Sequence, residues 1–194
     1  PEHISAYTLT VEKGTELFHM VNSNEVTMPG ESISADWFNL TRSYLSEHQY
    51  IPYEISNFSK PEKECRHNLH YWNIDPYMGF GPSAHSFDGN QRWNNVRSLD
   101  QYIKKMDEEL SPISSNETLT PTQKLNERIG FGLRLNEGLD LDKFSEIQKK
   151  QFNQNMKQHR NKWDDYIEHN GKTIKLNEQG FAIADEIAVD LILK

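Results

Sequence analysis

The sequence predicts an α/β unit followed by an α-rich one. The closing strands and helices of a partial (β/α) barrel are expected over residues 1–110, a linker over 111–118, and a helical, winged-helix-like unit over 119–194. Three observations carry this reading. A β-loop-α-β order over residues 1–55 argues for parallel strands with chemistry at their C-terminal ends. A stretch rich in Ser and Asn, from Ser111 to Thr118, interrupts the pattern. Beyond it helical periodicities dominate, relieved by one short strand after an Asn-Gly turn.

Taken in order, His3 to Val11 is largely apolar, with Ile4, Ala6, Tyr7, Leu9 and Val11, as a strand covered on both faces requires. Gly14-Thr15 ends it. After Met28-Pro29-Gly30, Ser34 is placed to cap a helix. Trp37, Leu40, Tyr44 and Leu45 recur at helical spacing and are expected inward, with Asp36, Arg42 and Glu47 wet. Ile51 to Ile55 reads as the next strand. Gly79 to Ser86 is a small-residue stretch where backbone can approach a ligand. Leu99 to Leu110 reads as a helix with Tyr102, Ile103 and Met106 inward.

In the second unit, Thr120, Pro121 and Gln123 supply an N-cap, a first-turn proline and a capping box. Leu125, Ile129, Leu133 and Leu135 fall on the buried side of that helix, and Gly138 stops it. Helices are expected at about 141–149 and 153–168, the second with Met156, Trp163 and Ile167 on one face. Asn170-Gly171 turns the chain into a strand from Lys172 to Leu176. Asn177 then caps a last helix along Phe181, Ala184, Ile187, Ala188 and Leu191.

Composition narrows the function classes. No stretch approaches the ~20 apolar residues of a membrane span, and the single cysteine, Cys65, excludes an internal disulfide. With a mean hydropathy of -0.83, the expected location is the cytoplasm. Of the net charge of -8, residues 1–110 carry -7 and residues 111–194 carry -1. Neither part has the basic excess of a nucleic-acid binder. The acidic first part repels carboxylates at long range, so capture of an acidic ligand falls to local groups such as Arg66 or Arg92.

The densest chemistry is the run His67-Asn68-Leu69-His70-Tyr71-Trp72. Two imidazoles, an amide, a phenol and an indole suit a flat or metal-bearing ligand, because imidazole ligates metals and the aromatic rings offer faces and polar edges. Tyr53-Glu54-Ile55-Ser56-Asn57-Phe58 precedes it, Cys65-Arg66 abuts it, and Gly79-Phe80-Gly81-Pro82-Ser83-Ala84-His85-Ser86 follows. Together with Pro1-Glu2-His3-Ile4-Ser5-Ala6-Tyr7, these motifs resemble the oxygen-independent coproporphyrinogen oxidase-like radical SAM proteins, and most closely the heme chaperone branch, HemW.

The resemblance implies a fold, cofactors and roles. The barrel would be a radical SAM barrel, and the tail the C-terminal domain that follows it. An HNxxYW motif associated with heme binding carries over to His67, Asn68, Tyr71 and Trp72, with His67 or His70 as the candidate ligand to heme iron and Tyr71 and Trp72 along the ring. The stretch ending in His85 corresponds to one beside the S-adenosylmethionine pocket, with Thr10 a second candidate there. Such proteins also hold a 4Fe-4S cluster on three cysteines of a CxxxCxxC motif. One cysteine cannot build that site, and the chain opens with Pro1 inside an expected strand, so it is expected to be the C-terminal part of a longer protein and inactive as an enzyme alone. Implied partners are heme or porphyrin and hemoprotein clients, with membrane association only through clients and no nucleic acid.

Rival readings remain open. The first is a radical SAM oxidase that decarboxylates coproporphyrinogen III, with His85 lining its pocket. The second is a nucleic-acid-binding winged helix using Lys149, Lys150, Lys157, Arg160 and Lys162, although Asp164, Asp165 and Glu168 intersperse those charges. A Cys65/His67 hydrolase pair lacks an oxyanion site. His3 reads as a barrel-packing residue, and His159 and His169 as surface residues.

Overall fold

The computed structural model describes residues 1–193. Its first half runs β1 (His3–Ser5), α1 (Glu16–Asn22), α2 (Glu31–Glu47), β2 (Ile51–Pro52), β3 (Asn57–Ser59), α3 (Arg66–Trp72), β4 (His85–Phe87), β5 (Gln91–Asn95), α4 (Leu99–Asp107) and β6 (Ile113–Thr118). The second half runs α5 (Pro121–Arg134), β7 (Leu139–Asp140), α6 (Glu146–Trp163), β8 (Ile167–His169), β9 (Thr173–Leu176), α7 (Glu178–Phe181) and α8 (Ala184–Leu191). Three antiparallel three-stranded sheets result, ordered β1-β3-β2, β4-β5-β6 and β7-β9-β8.

The expected parallel pairing does not form among the described residues. The chain doubles back between β2 and β3, where the Glu54 carboxylate accepts the Ser56 N–H at 2.7 Å and the Asn57 amide at 2.6 Å. That reversal inserts β3 antiparallel between β1 and β2. The strand expected to reach Val11 is regular only over His3–Ser5. Ser34 does not cap α2; the N-cap is Gly30, four residues earlier.

The face of α2 also differs from the expected one. Trp37, Leu40 and Tyr44 are exposed, and Arg42 is buried. The Arg42 guanidinium lies 4.4 Å from the Phe181 ring centroid and 5.6 Å from that of Phe38, and donates to the carbonyls of Glu54 and Ile55. Planar delocalised charge stacks on aromatic faces, so Arg42 joins α2 to α7; its burial pushes its pKa down. In α4, Tyr102 turns inward but Ile103 and Met106 are exposed.

Residues 111–118 are not a flexible linker along their length, because Ile113–Thr118 pairs antiparallel with β5 as an edge strand. Every residue of β6 is exposed, so it lacks the apolar alternation that would announce a strand.

The core lies in the second half. Leu125, Ile129, Leu133, Phe152, Trp163, Ile174, Leu176, Ile187 and Leu191 form one buried cluster, with Phe38 and Ile55 packed against it from the first half. α5 begins as the sequence predicts, with both bonds of the Thr120/Gln123 capping box present. A second capping box, Ser145/Gln148, starts α6. The two helices expected at 141–149 and 153–168 are instead a 3-10 turn at Leu141–Lys143 and the single helix α6. Asn177 caps the short α7, and the chain breaks before α8 rather than continuing as one helix. The order α5-β7-α6-β8-β9-α7-α8, with β9 central in its sheet, closes the core with helices on a small sheet.

Candidate functional site

The HNxxYW run is the helix α3, and one helical turn sorts its side chains. Residues four apart share a face while neighbours diverge by about 100°. Asn68 and Trp72 therefore face the protein. Asn68 donates from Nδ2 to the Tyr53 hydroxyl at 3.2 Å, and that hydroxyl also meets His3 Nε2 at 2.9 Å. Burial raises the Tyr53 pKa, keeping the phenol neutral as a hydrogen-bonding pivot. Trp72 packs edge-on against Phe131 at 5.7 Å between centroids, and Arg134 lies 5.4 Å from its ring. Arg134 and Asp185 form an ion pair, while its buried Nε has no hydrogen-bond partner among the described residues.

His67 and Tyr71 share the adjoining, more exposed face, in edge contact at 4.9 Å. Tyr71 meets Tyr77 at 4.7 Å, and Tyr77 meets Phe87 at 6.3 Å. Burial raises the Tyr77 pKa as well. These contacts make an aromatic ladder from helix to sheet, open to solvent at its His67 end.

His70 projects away from the protein. Its Nδ1 lies 2.8 Å from Asp75 Oδ2, and Nε2 carries no hydrogen bond to the described residues. A histidine held through one nitrogen by a carboxylate presents the other nitrogen in a set orientation to a metal. Arg66 is one turn away on the same side and exposed. Sequence reading missed Asp75, because a reversal after the helix brings it back. Ile74, at φ 61°, makes that reversal, and the Asp75 N–H donates to the His70 carbonyl at 2.9 Å.

The helical step sends Tyr71 and Trp72 to different faces of α3, Tyr71 toward His67 and Tyr77 and Trp72 toward Phe131. Arg92, a candidate for carboxylate capture, is engaged by Glu127 with two contacts of 2.7 Å. Thr10 and His85 are exposed, on an irregular segment and at the start of β4, and neither side chain hydrogen-bonds to the described residues. At Gly79, the first residue of the small-residue run before His85, a Cβ would strike the His85 carbonyl. His3 serves the Tyr53 pivot, as a packing histidine. His169 is exposed, as expected of a surface residue, whereas His159 is half-buried; both border a groove beside α6. Among the described residues no group of three or more His, Cys, Asp or Glu forms a metal cage, and no helix is long and apolar enough to cross a membrane.

Residues 119–183 match the family described as the HemN C-terminal domain. The heme chaperone HemW of Mycobacterium tuberculosis (strain ATCC 25618 / H37Rv) is 30% identical over 191 residues, which cover 98% of this chain and 47% of that protein. HemW of Bacillus subtilis (strain 168) is 32% identical over 145 residues, covering 75% of this chain and 38% of its own length. Among solved structures, the radical SAM enzyme coproporphyrinogen III oxidase (HemN) from Escherichia coli superposes with a TM-score of 0.66 at 18% identity, over 84% of this chain and 42% of that one. The chain spans less than half the length of these three relatives.

Proposed function

Because this chain belongs to the HemN-like radical SAM family that includes the heme chaperones HemW, we propose that it provides the heme-docking part of such a chaperone, with His70 as the axial ligand and transfer to hemoprotein clients as the outcome. The observation that carries this is the His70–Asp75 bond. It fixes one imidazole nitrogen and leaves the other outward, on a helix whose opposite face is anchored through Asn68 and Trp72.

The remaining residues fit the group. Bound heme would supply an iron that accepts the imidazole and a flat apolar ring carrying two propionates. Tyr71 and His67 offer an aromatic flank, and Arg66 a cation on the His70 side for a propionate. Trp72 acts by holding α3 on α5 rather than by touching the ring. The 4Fe-4S cluster of radical SAM relatives does not fit this chain's own donors, since Cys65 is its single thiol. Thr10 and His85 are proposed to border the S-adenosylmethionine pocket of the longer protein. Sequence likeness across nearly the whole chain is to heme chaperones, whereas the oxidase is similar in fold alone, which favours chaperone over oxidase.

The test is a titration of the chain with hemin, read by its absorption spectrum. His70→Ala should abolish the histidine-ligated spectrum, and Asp75→Asn should weaken binding about tenfold, the usual cost of losing the partner that orients a ligating histidine. His48→Ala, at the C-cap of α2, is the neutral control. An unchanged spectrum and affinity in His70→Ala would overturn the ligand assignment.

A further inference from the structure

We propose that Tyr53 is a positioning residue for α3: its hydroxyl ties that helix, through Asn68, to His3 on β1 and so sets the direction in which His70 is presented, a role that rests on the heme-docking reading. A helix of seven residues does not hold itself in place. No residue of α3 is buried, and Cys65 at its N-cap makes no side-chain capping bond. Its placement therefore comes from side chains that reach outside it. At the last turn Trp72 packs on Phe131 and Tyr71 on Tyr77; at the first turn Asn68 bonds to Tyr53. Aromatic contacts at one end leave a short helix free to swing, and a directional bond at the other end removes that freedom.

Tyr53 is itself fixed from both halves. Its backbone N–H donates to the Asn57 carbonyl at 3.1 Å, and its own carbonyl accepts from the Asn136 N–H at 3.0 Å. The half-buried hydroxyl accepts from Asn68 Nδ2 at 3.2 Å and lies 2.9 Å from His3 Nε2. An amide nitrogen only donates. The hydroxyl proton is thus left for the imidazole nitrogen, and a hydroxyl that donates is the better acceptor. His3 thereby strengthens the bond that holds α3. Asn68 lies on the face of α3 opposite His70, so slackness at Asn68 becomes a rotation of the imidazole that heme iron would meet.

Tyr53→Phe keeps the ring and removes the hydroxyl, and Asn68→Leu removes the amide. In the full chain without ligand, hydrogen exchange of the α3 amides should be about fivefold faster in either variant, the scale of one hydrogen bond, with the α5–α8 core unchanged. In hemin titrations each should bind about fivefold more weakly, and at saturation a smaller fraction of the hemin should show the histidine-ligated spectrum. The double variant should be no worse than either single one in both measurements, because the two substitutions cut the same bond. His3→Leu should act in the same direction and less. Unchanged α3 exchange in Tyr53→Phe, effects that add in the double variant, or faster exchange with hemin affinity and spectrum unchanged would each overturn the proposal. If the parent takes up no hemin, the docking reading fails, and coupled exchange in the two variants still decides whether Tyr53 positions α3.

Discussion

His70 and Trp72 stand two positions apart, yet one faces solvent and the other is pinned to α5. Their substitutions should therefore fail differently. Trp72→Ala removes contacts with Phe131 and Arg134 and should lower stability by about 2 kcal/mol, the scale for a half-buried aromatic ring. Trp72→Phe should recover much of that in chemical denaturation, whereas His70→Ala should leave stability nearly unchanged. A second residue-scale effect is electrostatic. The Lys162 ammonium donates to Asp190 and holds that carboxyl below its ordinary value of 3.8. A depressed carboxylate stabilises the fold above its unfolded-state pKa, and this contribution vanishes as pH falls through the folded-state value. The difference in thermal midpoint between the parent and Asp190→Asn should thus be present near pH 6 and close below about pH 4.

At the scale of elements, helix starts and stops are governed by short-range geometry and yield local predictions. Thr120 satisfies the Gln123 N–H at the head of α5, so Thr120→Ala should cost about 1 kcal/mol in denaturant titrations. α5 ends at Arg134 with Leu135 as its C-cap rather than at Gly138; Gly138 lies in the turn before β7 at φ 84°, and a Cβ there would run into the Ile174 carbonyl. Gly138→Ala should therefore cost more than the roughly 1 kcal/mol of left-handed backbone alone, because β9 must also shift. These elements were legible because a capping box, a proline and a left-handed glycine act within one turn of chain. β6 was not, since an exposed polar edge strand owes its form to β5 rather than to its own pattern. The split of Asn68 and Trp72 from His67 and Tyr71 follows from helical period once α3 is known to be helical.

Across the whole molecule, the contacts that join the halves include Arg42 on Phe181, Trp72 on Phe131, and Arg92 with Glu127, beside the packing of Phe38 and Ile55 on the second-half core. Glu127→Ala should free Arg92 and loosen the first half against α5. Hydrogen exchange should then rise in α3 and β5 while the α5–α8 core stays protected. A uniform rise across both halves would instead mean that Glu127 stabilises the core itself.

What the sequence determined by itself was local or compositional: the family motifs, the candidate histidines, the start of α5, the Asn170-Gly171 turn and the buried stripe of Leu125, Ile129 and Leu133. Tertiary structure decided which apolar face of α2 is covered, that β3 lies antiparallel between its neighbours, and that Asp75 reaches back to orient His70. The reason is that periodicity announces an apolar face without naming its partner. Arg42 is buried because two carbonyls and three aromatic rings surround it, and those residues come from four separate places in the chain.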